Sequence, residues 1–213
     1  MKIFSGKIFP QTPWLCSVCL FMSLAFFLFS CASTPEEQVP AQPPKPPVPE
    51  LIMGNGLIPA RDLSEFLTSV NPEAEKNHAE SLALIYTEEA AIEGVNHDVA
   101  FAQMCLETGF LRFGGLVTPE MNNFCGLGSI GPGQNGEVFQ TPRLGIRAHI
   151  QHLKAYATDE PLKQQLVDPR YRYVRLGSSP HIKGLAGTWA ADRNYAEKIN
   201  AILDRLYSIG FGS

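Results

Sequence analysis

Glu107 is the residue whose type and setting point most directly to chemistry. It stands near the end of a run, His97 to Thr108, in which Val99, Ala100, Phe101, Ala102, Met104, Cys105 and Leu106 leave almost no polar face. A segment apolar nearly all round is a helix buried in a core. A carboxylate there is disfavoured as an ion twice over, by burial and by the negative end of the helix dipole. Both effects raise its pKa, and an acid that keeps its proton near neutrality is what cleavage of a glycosidic bond requires. Taken alone, the position also fits a glutamate exposed at a helix end.

The segment Thr118 to Gly128 adds two amides, an aromatic ring and a flexible backbone in Asn122-Asn123-Phe124-Cys125-Gly126-Leu127-Gly128. Amides and aromatic faces hold acetamido sugars, by hydrogen bonds and by stacking; the same residues also suit a turn whose side chains satisfy their own backbone. Trp189 fits a sugar subsite or a core position equally. Other chemistries find less support. His149 and His152 share a helical face at the spacing of a metal pair, but no third ligand accompanies them, so they read as incidental on a partly exposed helix and no metal or other cofactor is implied. The glycines after Phe124 lack the Lys-Ser/Thr of a phosphate loop, and no Ser-His-Asp or Cys-His signature is present.

The elements that must position these residues are mostly helical. Spacing and capping predict helices over Arg61–Val70, Glu73–Glu93, His97–Thr108, Thr141–Ala157 and Arg193–Ser208, with Asn96 capping the third and Gly94 ending the second. Shorter helices are expected at Pro161–Gln165, Asp168–Val174 and Ile182–Ala190. Gly109 to Gln140 is irregular and glycine-rich, with room for a small hairpin. The fold class expected is α+β, predominantly helical, with a small irregular or hairpin lobe.

Three regions divide the chain: 1–30 an export signal, 31–60 a proline-rich linker, and 61–213 the folded domain. Lys2 and Lys7 precede an apolar run from Trp14 to Phe29 that is shorter than a membrane-spanning helix. Leu28-Phe29-Ser30-Cys31 resembles the bacterial lipobox, which makes Cys31 the expected site of lipidation and a membrane the expected partner of that anchor. Localisation in the cell envelope follows, facing the periplasm or attached to an outer membrane. Cys105 and Cys125 then remain in the domain, as a disulfide or as two buried thiols. The net charge of −4 gives no electrostatic case for nucleic acid.

Several motifs in order carry a resemblance. Glu-Thr-Gly-Phe at 107–110, Asn-Asn-Phe-Cys-Gly-Leu-Gly at 122–128, Gly145 through Tyr156, and Trp189 through Ile199 together resemble the bacterial glucosaminidase domain, the family-73 glycoside hydrolases of autolysins and flagellar-rod hydrolases. The resemblance implies a lysozyme-like fold and cleavage of the β-1,4 bond after GlcNAc in peptidoglycan glycan strands. It also implies Glu107 as general acid, Tyr195 assisting across the cleft, and Asn123 and Phe124 in the substrate-contacting segment. Many relatives carry a second glutamate on a long hairpin, whereas only sixteen residues separate Phe124 from Thr141 here, with Glu137 the one carboxylate among them. Glu137 is therefore one candidate partner, and the substrate's own 2-acetamido group is the other. A muramidase or lytic transglycosylase on a similar fold, and a wall-binding lipoprotein without catalysis, are the alternatives.

Overall fold

Helix α3, His97–Glu107, forms where the sequence gives it a start and no reason to stop. Asn96 caps it by accepting from the amides of Asp98 and Val99. Its residues from Asp98 to Cys105 are all buried, because α1 (Ala60–Val70), α2 (Lys76–Glu93), α4 (Pro142–Ala157) and α5 (Tyr195–Phe211) build the rest of the core. α3 packs directly on α2, α4 and α5. The structure, a computed structural model, describes residues 45–131 and 133–212. The expected export signal, the lipidation site Cys31 and the tether up to residue 44 lie outside those residues.

The helix limits follow local chemistry. The Glu75 carboxylate caps α2 through the amides of Asn77 and His78, and Gly94 ends that helix in the left-handed conformation at φ 78°. Thr141 caps α4, with Pro142 in its first turn. The only strands among the described residues are β1 (Ser129–Gly131) and β2 (Gln134–Asn135), an antiparallel hairpin in the glycine-rich lobe. The domain is thus a predominantly helical α+β fold with one small hairpin, as expected. Of the three shorter helices, 3-10 turns form at Tyr171–Tyr173 and Ile182–Leu185, and none forms at 161–165.

One boundary is corrected. Lys45 to Pro59, expected to be linker, is a strap laid across the domain. Its backbone bonds to the 180–182 turn through Ile182 N–H to Glu50 O (2.9 Å) and Ile52 N–H to Pro180 O (3.0 Å), and to the α2–α3 turn through Asn96 N–H to Ile52 O (2.8 Å). Ile52 and Ile58 are wholly buried. The Asp98 carboxylate locks the end of the strap by accepting from the amides of Leu57 (2.7 Å) and Ile58 (3.2 Å), and it also accepts from the Tyr207 hydroxyl of α5 (2.8 Å). Prolines mark this stretch as linker-like, but burial of Ile52 and Ile58 decides its fate.

Candidate active site

Glu107 is the last residue of α3 and is half-buried at its end. The turn that follows runs through left-handed backbone at Gly109, Phe110, Leu111 and Phe113, with φ between 53° and 63°. Bulky residues adopt that conformation only when their surroundings over-determine it. The restraints are visible: Phe110 N–H to Cys105 O (2.7 Å), Phe113 N–H to Thr108 O (2.7 Å), and the Asn71 amide to Phe110 O (2.7 Å). The chain is thereby turned away sharply, leaving the end of α3 open beside Gly126.

The two carboxylate oxygens of Glu107 have different surroundings. Oε1 accepts from Trp189 Nε1 at 3.1 Å and from the Tyr195 hydroxyl. Oε2 faces Gly126, where a β-carbon would stand 3.6 Å from it, and Glu107 and Gly126 both line a cavity of about 180 Å³ together with Phe113, Leu116 and Ser129. No lysine or arginine pairs with Glu107 among the described residues. Burial raises its pKa, and the hydrogen bonds from Tyr195 and Trp189 oppose that rise without cancelling it. Tyr195, buried at the first turn of α5, is itself pushed well above the usual phenol range by burial and by the adjacent Glu107 carboxylate, so it stays a donor.

Trp189 is half-buried and joins the site to a second cavity of about 270 Å³, where its ring packs near His152 (5.0 Å between centroids) and Tyr156 (5.7 Å). His152 Nδ1 is held by the buried Asp168 carboxylate at 2.7 Å. The reading of His149 and His152 as incidental surface residues is corrected: both are buried, at 0% and 8% exposure. Their helix face meets the core because α4 packs on both α2 and α3. Gln103 and His149 were therefore missed as parts of this neighbourhood. One signal was available, a glutamine one turn before Glu107 in a helix with no other uncharged polar side chain between Asp98 and Glu107.

The Asn122-Asn123-Phe124 segment is a scaffold in this structure, and Asn123, expected as a sugar contact, also lines the cavity beside Glu107. Asn123 donates to Leu127 O (2.9 Å) and Glu137 O (3.0 Å) and accepts from Leu127 N–H (2.9 Å). Asn122 donates to Phe139 O at 2.9 Å, and Phe124 lies in the core with 2% exposure. These bonds hold the Gly126-Leu127-Gly128 turn against Glu107. Gly145 in α4 completes the clamp, since a β-carbon there would fall 1.7 Å from Asn122 O. Glu137 is half-buried at the other end of the same turn, its side chain over Gly128 at 3.0 Å from a notional β-carbon. Cys105 and Cys125 are both free, buried thiols, each raised in pKa chiefly by burial.

Comparison with known proteins agrees with this geometry. Residues 83–208 match the family described as Glucosaminidase, mannosyl-glycoprotein endo-beta-N-acetylglucosaminidase, a span that includes every side chain described around Glu107 apart from Asn71. An uncharacterized protein of Borreliella burgdorferi is 40% identical over 186 residues, covering 86% of this chain and 91% of its own.

Proposed function

Because the chain belongs to the glucosaminidase family of glycoside hydrolases, we propose that it is a peptidoglycan hydrolase that cuts the β-1,4 bond after GlcNAc, with Glu107 as general acid. The observation that carries the reading is the division of labour on one carboxylate: Oε1 takes both protein donors while Oε2 lies toward Gly126, which lines the same cavity as Glu107. A proton on Oε2 passes to the glycosidic oxygen as the bond from that oxygen to C1 breaks, leaving an oxocarbenium-like centre on the sugar. The hydrogen bonds of Tyr195 and Trp189 strengthen as Glu107 becomes an anion, which favours the transition state over the ground state. Trp189 and Tyr156 offer apolar ring faces along the adjoining cavity for the flanking sugars.

The attacking group on C1 comes from one of two sources. Glu137 can take the proton of a water that attacks directly, or the 2-acetamido oxygen of the substrate can close on C1 first. Glu137→Gln separates them, because only the first route loses most of its rate. An extracellular or envelope location goes with a wall substrate, and we propose anchoring through a lipid on Cys31. No helix among the described residues is long and apolar enough to cross a membrane.

Purified peptidoglycan digested with the protein should yield new GlcNAc reducing ends by mass spectrometry, and Glu107→Gln should yield far fewer in the same time while still sedimenting with the wall. Reducing or anhydro MurNAc ends would assign a muramidase or transglycosylase instead. Binding without any cleavage by the unaltered protein would leave a wall-attachment role.

A further inference from the structure

Behind Tyr195 the hydrogen bonds continue inward, through three side chains that have no exposed surface. Gln103 Nε2 donates to the Tyr195 oxygen at 2.8 Å, His149 Nε2 lies 2.9 Å from Gln103 Oε1, and the Tyr86 hydroxyl lies 2.9 Å from His149 Nδ1. Tyr86, Gln103 and His149 are each 0% exposed, so none of them can touch a substrate.

The chain has two possible directions, and only one satisfies every group. With the imidazole proton on Nε2, Tyr86 donates to Nδ1, Nε2 donates to Gln103, Gln103 donates to Tyr195, and Tyr195 donates to Glu107. With the proton on Nδ1, the imidazole donates to Tyr86 and the Gln103 amide must turn over. Tyr195 then gives its hydrogen to Gln103, Glu107 loses a donor, and the buried Tyr86 hydroxyl has no acceptor among the described residues. A buried, unmatched O–H is the more costly arrangement. A neutral imidazole is also required, and burial, reinforced by repulsion from His152, pushes His149 down to about 3.

We propose that Gln103, His149 and Tyr86 are positioning residues that fix the direction of the Tyr195 hydrogen bond, so that Oε1 of Glu107 remains an acceptor and its proton is carried on Oε2 toward the cleft. This rests on the reading of Glu107 as the acid. The titratable groups facing Glu107 are Tyr195 and Cys125, and burial keeps both protonated. Any movement of its titration therefore reports on hydrogen bonds and not on a neighbouring charge.

The test uses Tyr86→Phe and Gln103→Glu in the full domain. Imidazole nitrogen NMR of the unaltered protein should show His149 neutral with its proton on Nε2, and Tyr86→Phe should mix the two tautomers. On soluble glycan oligomers Tyr86→Phe should lower kcat with KM unchanged. Losing the Tyr195 donor also removes a stabiliser of the carboxylate, so the alkaline limb of the pH profile should rise by about one unit. In Gln103→Glu a carboxylate draws the Tyr195 hydrogen to itself, and kcat should fall roughly 100-fold, the lower range of a general acid's contribution. An Nδ1 proton on His149 in the unaltered protein overturns the proposal. So does a Tyr86→Phe protein with unchanged kcat and an unchanged alkaline limb; this variant removes a single oxygen and carries the test even where Gln103→Glu does not fold. The NMR measurement needs no turnover, so the Nε2 tautomer in a protein that fails to cut glycan would count against the hydrolase reading alone.

Discussion

Glu107 at the end of α3 and the pair Glu89 and Glu93 on α2 are all carboxylates drawn into one domain, and they are held in opposite ways. Glu89 is 1% exposed and accepts from Arg143 (2.8 Å), Arg147 (2.9 Å) and the Gln164 amide (2.8 Å). Burial works against its charge, but those hydrogen bonds win and bring its pKa down to about 2. Glu93, wholly buried, meets Lys154 at 3.0 Å and the backbone amides of Lys163 and Gln164. Among the described residues Glu107 has only neutral donors, Trp189 and Tyr195, and its pKa moves the other way. Burial therefore does not make an acid; the charge of the partner does. Where cations are supplied, a buried glutamate becomes an ionic strut, and where only neutral donors are supplied its pKa rises.

Exchanging carboxylate for amide should separate the two regions by what is lost. Glu107→Gln should lower glycan cleavage by roughly 10²–10⁴-fold, the range of a general acid, and leave the protein folded. Its folded pKa lies above the unfolded one, so the glutamate's contribution to stability is present at low pH and is lost as pH rises through the folded value. The variant should accordingly melt higher than the parent at pH 8 and alike at pH 4, and a lower melting temperature at pH 8 would break the contrast. Glu93→Gln should do the reverse, destabilising by about 3–5 kcal/mol in urea titration because Lys154 is left buried without its counter-ion. Its activity per folded molecule should not change. Glu89→Gln should cost less, about 1–3 kcal/mol, since Arg143 is 43% exposed and can regain water.

The last effect is a matter of slope. His149 has its pKa lowered in the fold, so its neutral form contributes stability above the unfolded value near 6.5 that is lost as pH falls toward about 3. Urea midpoints should decline from pH 6.5 to pH 4.5 in the parent. His149→Gln should flatten that decline, and an identical slope in both proteins would show that another group dominates the acid range.

Much of the fold was legible from local patterns. Asn96 before an apolar run, Gly94 after a periodic one and Thr141-Pro142 each mark a helix limit through bonds made within a few residues. The strap was not legible, because proline content masks Ile52 and Ile58, whose burial is visible only once α2, α3 and the 180–182 turn are in place. In the site, Glu107, Trp189 and Tyr195 were legible as chemical candidates. For Asn123 the sequence left two roles open, since an amide that grips a turn and one that grips a sugar are the same residue type in the same kind of loop.

The sequence by itself determined the five long helices, several of their ends, and a carboxylate at the end of the most apolar one, all of which depend on periodicity and capping over a few residues. Only the tertiary structure decided which carboxylate meets cations and which meets neutral donors. Trp189 lies 82 positions from Glu107 along the chain, Tyr195 lies 88 away, and Gln103 reaches His149 across 46. A hydrogen bond is set by distance and direction in space, and the packing of α3 against α4 and α5 supplies both.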